Sequence, residues 1–183
     1  MDNGASSYRR YLNGGEEAFR EIVKEYFDSL IFFIDRYVND YATAEDIALD
    51  VFTQLVVDRH RYNFSVSLKT YLFMIGRSRA LEYIKHRNKR SMVALTEISE
   101  VASNEPSLEE MFLADQRKQA VSKALAQLNE EMRMVIHLVY FAQLTPDEAA
   151  KVLKKSRKQV YNLLYRGKNA LRAILGEEGE LLL

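Results

Sequence analysis

Leu144-Thr145-Pro146-Asp147-Glu148-Ala149-Ala150-Lys151-Val152-Leu153-Lys154-Lys155-Ser156-Arg157-Lys158-Gln159-Val160-Tyr161-Asn162-Leu163-Leu164-Tyr165-Arg166 is the stretch that decides the fold. Thr145 caps a helix, Pro146 fits the first helical position, and Glu148 completes a capping box. The helix runs to about Leu153, with Ala149, Ala150, Val152 and Leu153 apolar. Lys154-Lys155-Ser156 is a tight turn. Ser156 with Gln159 is a second capping box, which opens a final helix to about residue 175. A short helix, a tight turn and a longer helix make a helix-turn-helix. In the last helix Val160, Leu163, Leu164, Gly167, Leu171, Ile174 and Leu175 form the inward face. The outward face carries Lys158, Tyr161, Asn162, Tyr165, Lys168, Asn169 and Arg172, flanked by Arg157 and Arg166.

That outward face has the chemistry of a recognition helix. Its first residues reach base edges in a major groove, and its cations neutralise phosphates. The helix N-terminus at Ser156 adds backbone donors for a phosphate. Residues 151–172 hold eight bases and no acid. A merely solvated helix face usually mixes signs and gains pairs four residues apart.

Working outward, the pattern is helical almost throughout. Residues 130–142 place Val135, Leu138, Val139 and Phe141 on one face, and 108–128 bury Ala120, Val121, Ala124, Leu125 and Leu128. Asn104-Glu105-Pro106 is a breaker, and Ser107 with Glu110 restarts a helix. In the first half, Phe19, Ile22, Val23, Tyr26, Phe27, Leu30, Ile31, Ile34, Tyr37 and Val38 recur at spacings of three and four. A second helix over 44–58 carries Ile47, Ala48, Val51, Phe52, Leu55 and Val56, with Thr43 and Asp46 as its cap. A third spans 67–88 with a looser period through Leu68, Tyr71, Leu72, Ile75, Leu81 and Ile84. The expected fold is all-α: two small helical domains, 1–90 and 108–183, joined by a flexible acidic linker at 91–107. The second domain holds the helix-turn-helix.

The 183 residues carry 26 Lys+Arg and 26 Asp+Glu, a net charge of zero. The sum hides blocks. Residues 16–58 hold eleven acids against three bases, 59–90 nine bases against one acid, and 91–115 six acids and no base. With no cysteine, a disulfide scaffold, a thiolate zinc site and a cysteine nucleophile are excluded. His60, His86 and His137 have no partner at ligand spacing, so no metal site is expected. No Gly-rich phosphate loop and no strand-to-helix nucleophile turn occurs, so neither catalytic residues nor a cofactor are expected. Residues 1–15 are polar, with no targeting run, and the longest apolar stretch, Leu30–Ile34, is far too short to span a bilayer. The expected location is the cytoplasm, without membrane insertion.

The first basic block differs from the second. Arg59, His60, Arg61, Tyr62, Asn63 and Phe64 alternate cations with aromatics in a loop, a mix that suits unstacked bases. On chemistry alone Tyr62 and Phe64 serve equally well as core anchors or as base platforms. The helix beyond adds Arg77, Arg79 and Lys85.

Residues 71–85, Tyr-Leu-Phe-Met-Ile-Gly-Arg-Ser-Arg-Ala-Leu-Glu-Tyr-Ile-Lys, resemble the promoter-melting segment of bacterial extracytoplasmic-function sigma factors. Ala44-Glu45-Asp46-Ile47-Ala48-Leu49-Asp50-Val51-Phe52 resembles their polymerase-binding helix. Leu128–Leu175 resembles their minus-35-binding domain, most clearly at Glu131–Ile136 and Leu144–Ala150. The resemblance implies a transcription initiation factor that binds core RNA polymerase through the β′ coiled coil and the β flap, and binds promoter DNA. It implies polymerase docking by Asp46, Asp50 and Gln54. It implies minus-10 reading by Arg59, His60, Arg61, Tyr62, Asn63, Phe64, Arg77, Arg79 and Lys85. It implies minus-35 reading by Ser156, Arg157, Lys158, Gln159, Tyr161, Asn162, Tyr165, Arg166 and Lys168. An anti-sigma factor is the further partner it suggests. The loop 59–66 would take a flipped base, without a choice between Tyr62 and Phe64.

Four positions depart from the family pattern: Tyr71 stands for tryptophan, Ser78 for asparagine, Lys154 for glycine and Gln159 for threonine. If Lys154 is left-handed, the side chain there costs about 1 kcal/mol. Two rival readings remain. A helix-turn-helix regulator explains 108–175 but not the aromatic-basic loop. A polymerase adaptor that reads no DNA leaves the recognition face unexplained.

Overall fold

The computed structural model describes residues 4–93 and 116–176. The chain divides into two units, Met1–Ser103 and Asn104–Leu183. Among the described residues all regular structure is helical.

In the first unit α1 spans Ala5–Leu12, α2 Glu16–Val38, α3 Tyr41–Val57 and α4 Leu68–Val93. The α2 stripe buries Ile22, Tyr26, Leu30, Ile31, Ile34 and Val38 as its spacing requires, and Phe33 joins it. Asn39 ends α2 in the left-handed region, its N–H donating to the Asp35 carbonyl at 2.8 Å. α3 starts three residues before the expected point. Its cap is Asp40, whose carboxylate accepts the Thr43 N–H at 2.7 Å, so Thr43 receives the cap rather than supplying it. Ser67 opens α4 by accepting the Thr70 N–H at 3.1 Å.

Leu68, Leu72, Phe73, Gly76 and Ala80 form the inward face of α4. A Cβ at Gly76 would lie 2.9 Å from Leu30 Cδ1, so the missing side chain is what lets α4 approach α2. Leu81, expected in the core, is 39 % exposed. α4 continues to Val93, past the expected domain edge at residue 90. Most of the expected linker, 94–107, and the expected helix start at 108–115 lie outside the described residues.

The helix α1 is absent from the sequence expectation. It buries Tyr8 completely against α2 and the start of the 59–66 loop.

In the second unit α5 spans Gln116–Ala126, α6 Glu130–Ile136, α7 Pro146–Leu153 and α8 Arg157–Leu175. The expected helix over 130–142 is α only to Ile136 and continues as a π-helical turn, His137–Phe141. Widening the turn adds a residue per hydrogen-bonded loop and shifts the register. His137 and Leu138 stay buried while Phe141, expected in the core, is 53 % exposed. Arg133 ties the unit's entrance: its guanidinium donates to the carbonyls of Leu125 (3.0 Å), Ala126 (2.8 Å) and Leu128 (2.8 Å), closing the C-terminus of α5. The core is completed by Met132, Val135, Leu138, Ala149, Val152, Val160 and Leu171. Ile174, expected to face inward, is 40 % exposed.

Candidate nucleic-acid interface

Both capping boxes of the helix-turn-helix form as their sequence requires. Thr145 Oγ1 accepts the Glu148 N–H at 3.2 Å, and the Glu148 carboxylate accepts the Thr145 N–H at 2.9 Å. Ser156 Oγ accepts the Gln159 N–H at 3.2 Å, and Gln159 Oε1 accepts the Ser156 N–H at 2.8 Å. Between them Lys154 ends α7 in the left-handed region, at φ 54°. That turn sets the angle at which α8 leaves α7. Gly167 keeps α8 close to α6, since a Cβ there would lie 2.7 Å from Ile136 Cδ1.

The outer face of α8 is open. Arg157, Lys158, Gln159, Tyr161, Asn162, Tyr165 and Arg166 are exposed, with Tyr161 at 49 % and Tyr165 at 68 %. Ser156 is exposed at the helix start. Lys168 is half-buried, its ammonium 5.8 Å from the Tyr140 ring centroid. Two cations at the turn are already paired. Arg157 Nε lies 2.6 Å from Asp147 Oδ1, and Lys155 Nζ lies 2.5 Å from Glu131 Oε1. A duplex phosphate approaching this turn therefore competes with two carboxylates. Gln159 is shared between capping and reaching outward, so its amide oxygen is held back on Ser156.

In the first unit the 59–66 loop has an ordered interior. Tyr62 is 3 % exposed and its hydroxyl donates to the Val66 carbonyl at 2.6 Å, which closes the loop. Its ring lies against Tyr8 (5.4 Å), Phe64 (4.6 Å) and Tyr71 (5.0 Å). Tyr62 is thus an anchor. Phe64 is half-buried and left-handed at φ 60°, and Arg59, His60, Arg61 and Asn63 are exposed around it. Asn63 Oδ1 accepts the Ser65 N–H at 3.1 Å.

Sequence reasoning missed Tyr8. Its hydroxyl donates to the Arg59 carbonyl at 2.7 Å and lies 3.2 Å from the Leu55 carbonyl, joining the end of α3 to the loop. Burial, and then the neighbouring Tyr11, Tyr71 and Tyr62, push its phenol up to about 12. The one available signal was the Tyr8-Tyr11 spacing between glycines, which is too short to show a stripe.

Arg77 is half-buried in α4, while Arg79 and Lys85 are exposed. Arg79 donates to Gln54 Oε1 at 3.0 Å and lies 3.6 Å from Glu82. Asp46 and Asp50 are exposed on α3, and Gln54 is half-buried. Asp50, Gln54, Asp58, Arg61 and Arg79 line one open cleft, so the expected polymerase-docking and minus-10 residues share an edge. On α3, Leu49 is 51 % and Val57 75 % exposed beside those acids. Among the described residues no cluster of three His, Asp or Glu is arranged to hold a metal ion.

Comparison with known proteins gives two family matches in chain order. Sigma-70 region 2 matches residues 22–90, and Sigma-70, region 4 matches residues 118–171. The ECF RNA polymerase sigma factor SigM of Bacillus subtilis is 21 % identical over 84 % of this chain and 93 % of its own length. SigX of the same organism is 26 % identical over 86 % of this chain and 83 % of its own. The sigma factor RpoE of Bartonella quintana, solved in complex with the anti-sigma factor NepR, shares the fold with a TM-score of 0.67. It is 19 % identical, and the match covers 87 % of this chain and 97 % of that one.

Proposed function

The chain belongs to the extracytoplasmic-function sigma factors, which direct RNA polymerase to promoters, and on that premise we propose how its residues divide the task. Asp46, Asp50 and Gln54 on α3 dock on core polymerase, at the β′ coiled coil. Exposed acids beside exposed Leu49 and Val57 suit a basic, amphipathic partner helix and repel DNA. Residues 108–183 carry the contact with the β flap.

The 59–66 loop, with Arg77, Arg79 and Lys85, engages the separated minus-10 strand. The face of α8 from Ser156 to Lys168 reads the minus-35 element. Arg157, Lys158, Arg166 and Lys168 take phosphates, while Gln159, Tyr161, Asn162 and Tyr165 reach base edges. The observation that carries this reading is the pairing of region 2 and region 4 matches with the two basic blocks, in order, in one chain. A lone regulator has no use for the first of these.

On this reading the protein acts by binding and catalyses nothing itself, needs no cofactor, and works in the cytoplasm beside polymerase and promoter. Among the described residues no helix is long and apolar enough to cross a membrane. An anti-sigma factor is a further partner, in keeping with the complex in which RpoE was solved. The test is run-off transcription from promoter DNA by core polymerase with and without the purified chain. Discrete start sites that need the chain are expected. Duplex binding by the chain with no chain-dependent start would favour the regulator instead.

A further inference from the structure

The second basic block draws its counter-charges from outside itself. Residues 151–172 hold eight bases and no acid, yet Lys155 and Arg157 each face a carboxylate on another helix. The two pairs differ in kind. The Lys155 side chain is only 25 % exposed, and its ammonium, 2.5 Å from Glu131 Oε1, ties the turn to α6. The Arg157 side chain is 72 % exposed and stands in the first turn of α8, on the open face. Its Nε lies 2.6 Å from Oδ1 of Asp147, in the first turn of α7. Among the described residues that oxygen is buried and accepts no hydrogen bond, so the Arg157 charge is what balances it. Lys158, the next residue, is exposed and faces no carboxylate among the described residues.

We propose that Asp147 sets the strength of minus-35 binding by holding Arg157 back from the DNA backbone. This rests on the minus-35 reading of α8 and deepens it. A cation that neutralises a phosphate adds to duplex affinity for every sequence alike. Arg157 does so only by leaving Asp147. That move strips the counter-charge from a buried carboxylate oxygen and sets a bare acid beside a polyanion. The phosphate contact is therefore worth less than an unpaired arginine would give. An ion pair with one partner so exposed is itself weak, so the brake is a matter of a few-fold in affinity. It acts on the backbone contact and leaves base reading by Asn162 and its neighbours untouched. Such a brake suits a unit that holds promoter duplex only when polymerase supplies the rest of the grip.

The test uses full-length chain bound to core polymerase. The probe is a fluorescent duplex that carries the minus-35 element of a promoter the complex opens and stops short of the minus-10 element. A copy with the minus-35 bases scrambled completes the set, and binding is read by anisotropy across a salt series. Asp147→Asn keeps the shape at the helix start. It should bind both duplexes about three-fold tighter at low salt, with a salt slope steeper by up to about one. Asp147→Ser removes the charge in a smaller side chain and should do the same, so the gain does not hinge on how one variant folds. In the Arg157→Ala background Asp147→Asn should give no gain, because the brake has nothing left to hold. A gain that persists there is relief of long-range repulsion and overturns the proposal. Folded Asp147 variants that bind no better than wild type overturn it too, and weaker binding would make Asp147 a group that aims Arg157 at the phosphate. Lys158→Ala separates this proposal from the reading beneath it. If the Asp147 variants change nothing while Lys158→Ala weakens binding, the brake falls and the minus-35 reading stands. If Lys158→Ala changes nothing either, the minus-35 reading of α8 fails with it.

Discussion

Lys154 shows how a single residue carries the geometry of the whole helix-turn-helix. Its φ of 54° puts a Cβ-bearing residue where glycine is at ease. Lys154→Gly is expected to raise the stability of the second unit by up to about 1 kcal/mol, read as a higher denaturation midpoint at unchanged slope. The sequence raised the left-handed turn at Lys154 only as a condition, through the glycine the resembling family carries there, and the φ of 54° meets that condition. Arg133 was legible only as a member of a motif. Its three carbonyl contacts join residues five to eight positions apart, and no periodicity encodes that. Arg133→Ala should cost about 2 kcal/mol, since it strips a charged donor from three carbonyls at once. Tyr8 was not legible at all. Its raised phenol pKa fixes a sign: the group is neutral and bonded in the fold, so its contribution is whole below pH 10. It is lost as pH climbs from 10 through about 12. Tyr8→Phe should flatten that alkaline loss of stability while lowering stability at neutral pH, as chemical denaturation at pH 7 and across pH 9–12 will report.

At the scale of elements, the helices that the sequence announced are those with local start signals. The boxes at Thr145–Glu148 and Ser156–Gln159 are found where they were expected, because capping is a contact between residues three apart. α1 escaped because an eight-residue helix with one fully buried ring gives no stripe to count. The π-helical turn escaped because a wider turn keeps the 3.6-residue pattern on both sides and changes only the phase between them, which is why Phe141 was assigned inward. Of the candidate interface, the open face of α8 was readable from its unmixed charge. Which of Tyr62 and Phe64 is enclosed was not, since both are aromatic residues in one loop and only packing tells the buried ring from the half-buried one. For α8 the expected experiment is a salt series on holoenzyme bound to promoter DNA. Lys158→Ala should weaken binding across promoter sequences and lower the salt slope by about one. Asn162→Ala should instead relax preference at one minus-35 position, losing about 1–3 kcal/mol of discrimination.

For the whole molecule, neutrality is a sum of opposed blocks. The acids of 16–58 and 91–115 offset two basic blocks that suit DNA, so the chain alone should bind duplex weakly at low salt through long-range repulsion. That is the behaviour expected of a protein that meets promoters as part of polymerase. Reversing charge in Asp46→Lys with Asp50→Lys should weaken binding to core polymerase about ten-fold or more and leave the α8 face unaltered. A parallel loss of duplex minus-35 binding by the folded variant would break the assignment of β′ docking to the first unit and of minus-35 DNA to the second. The central claim is tested most directly by footprinting the chain with core polymerase on promoter fragments, using a backbone-cleaving reagent and a probe for unpaired bases on the same complexes. The account predicts protection over the minus-35 element together with unpaired bases at the minus-10 element, both needing chain and core. Protection by the chain alone, with no strand opening when core is added, would contradict it.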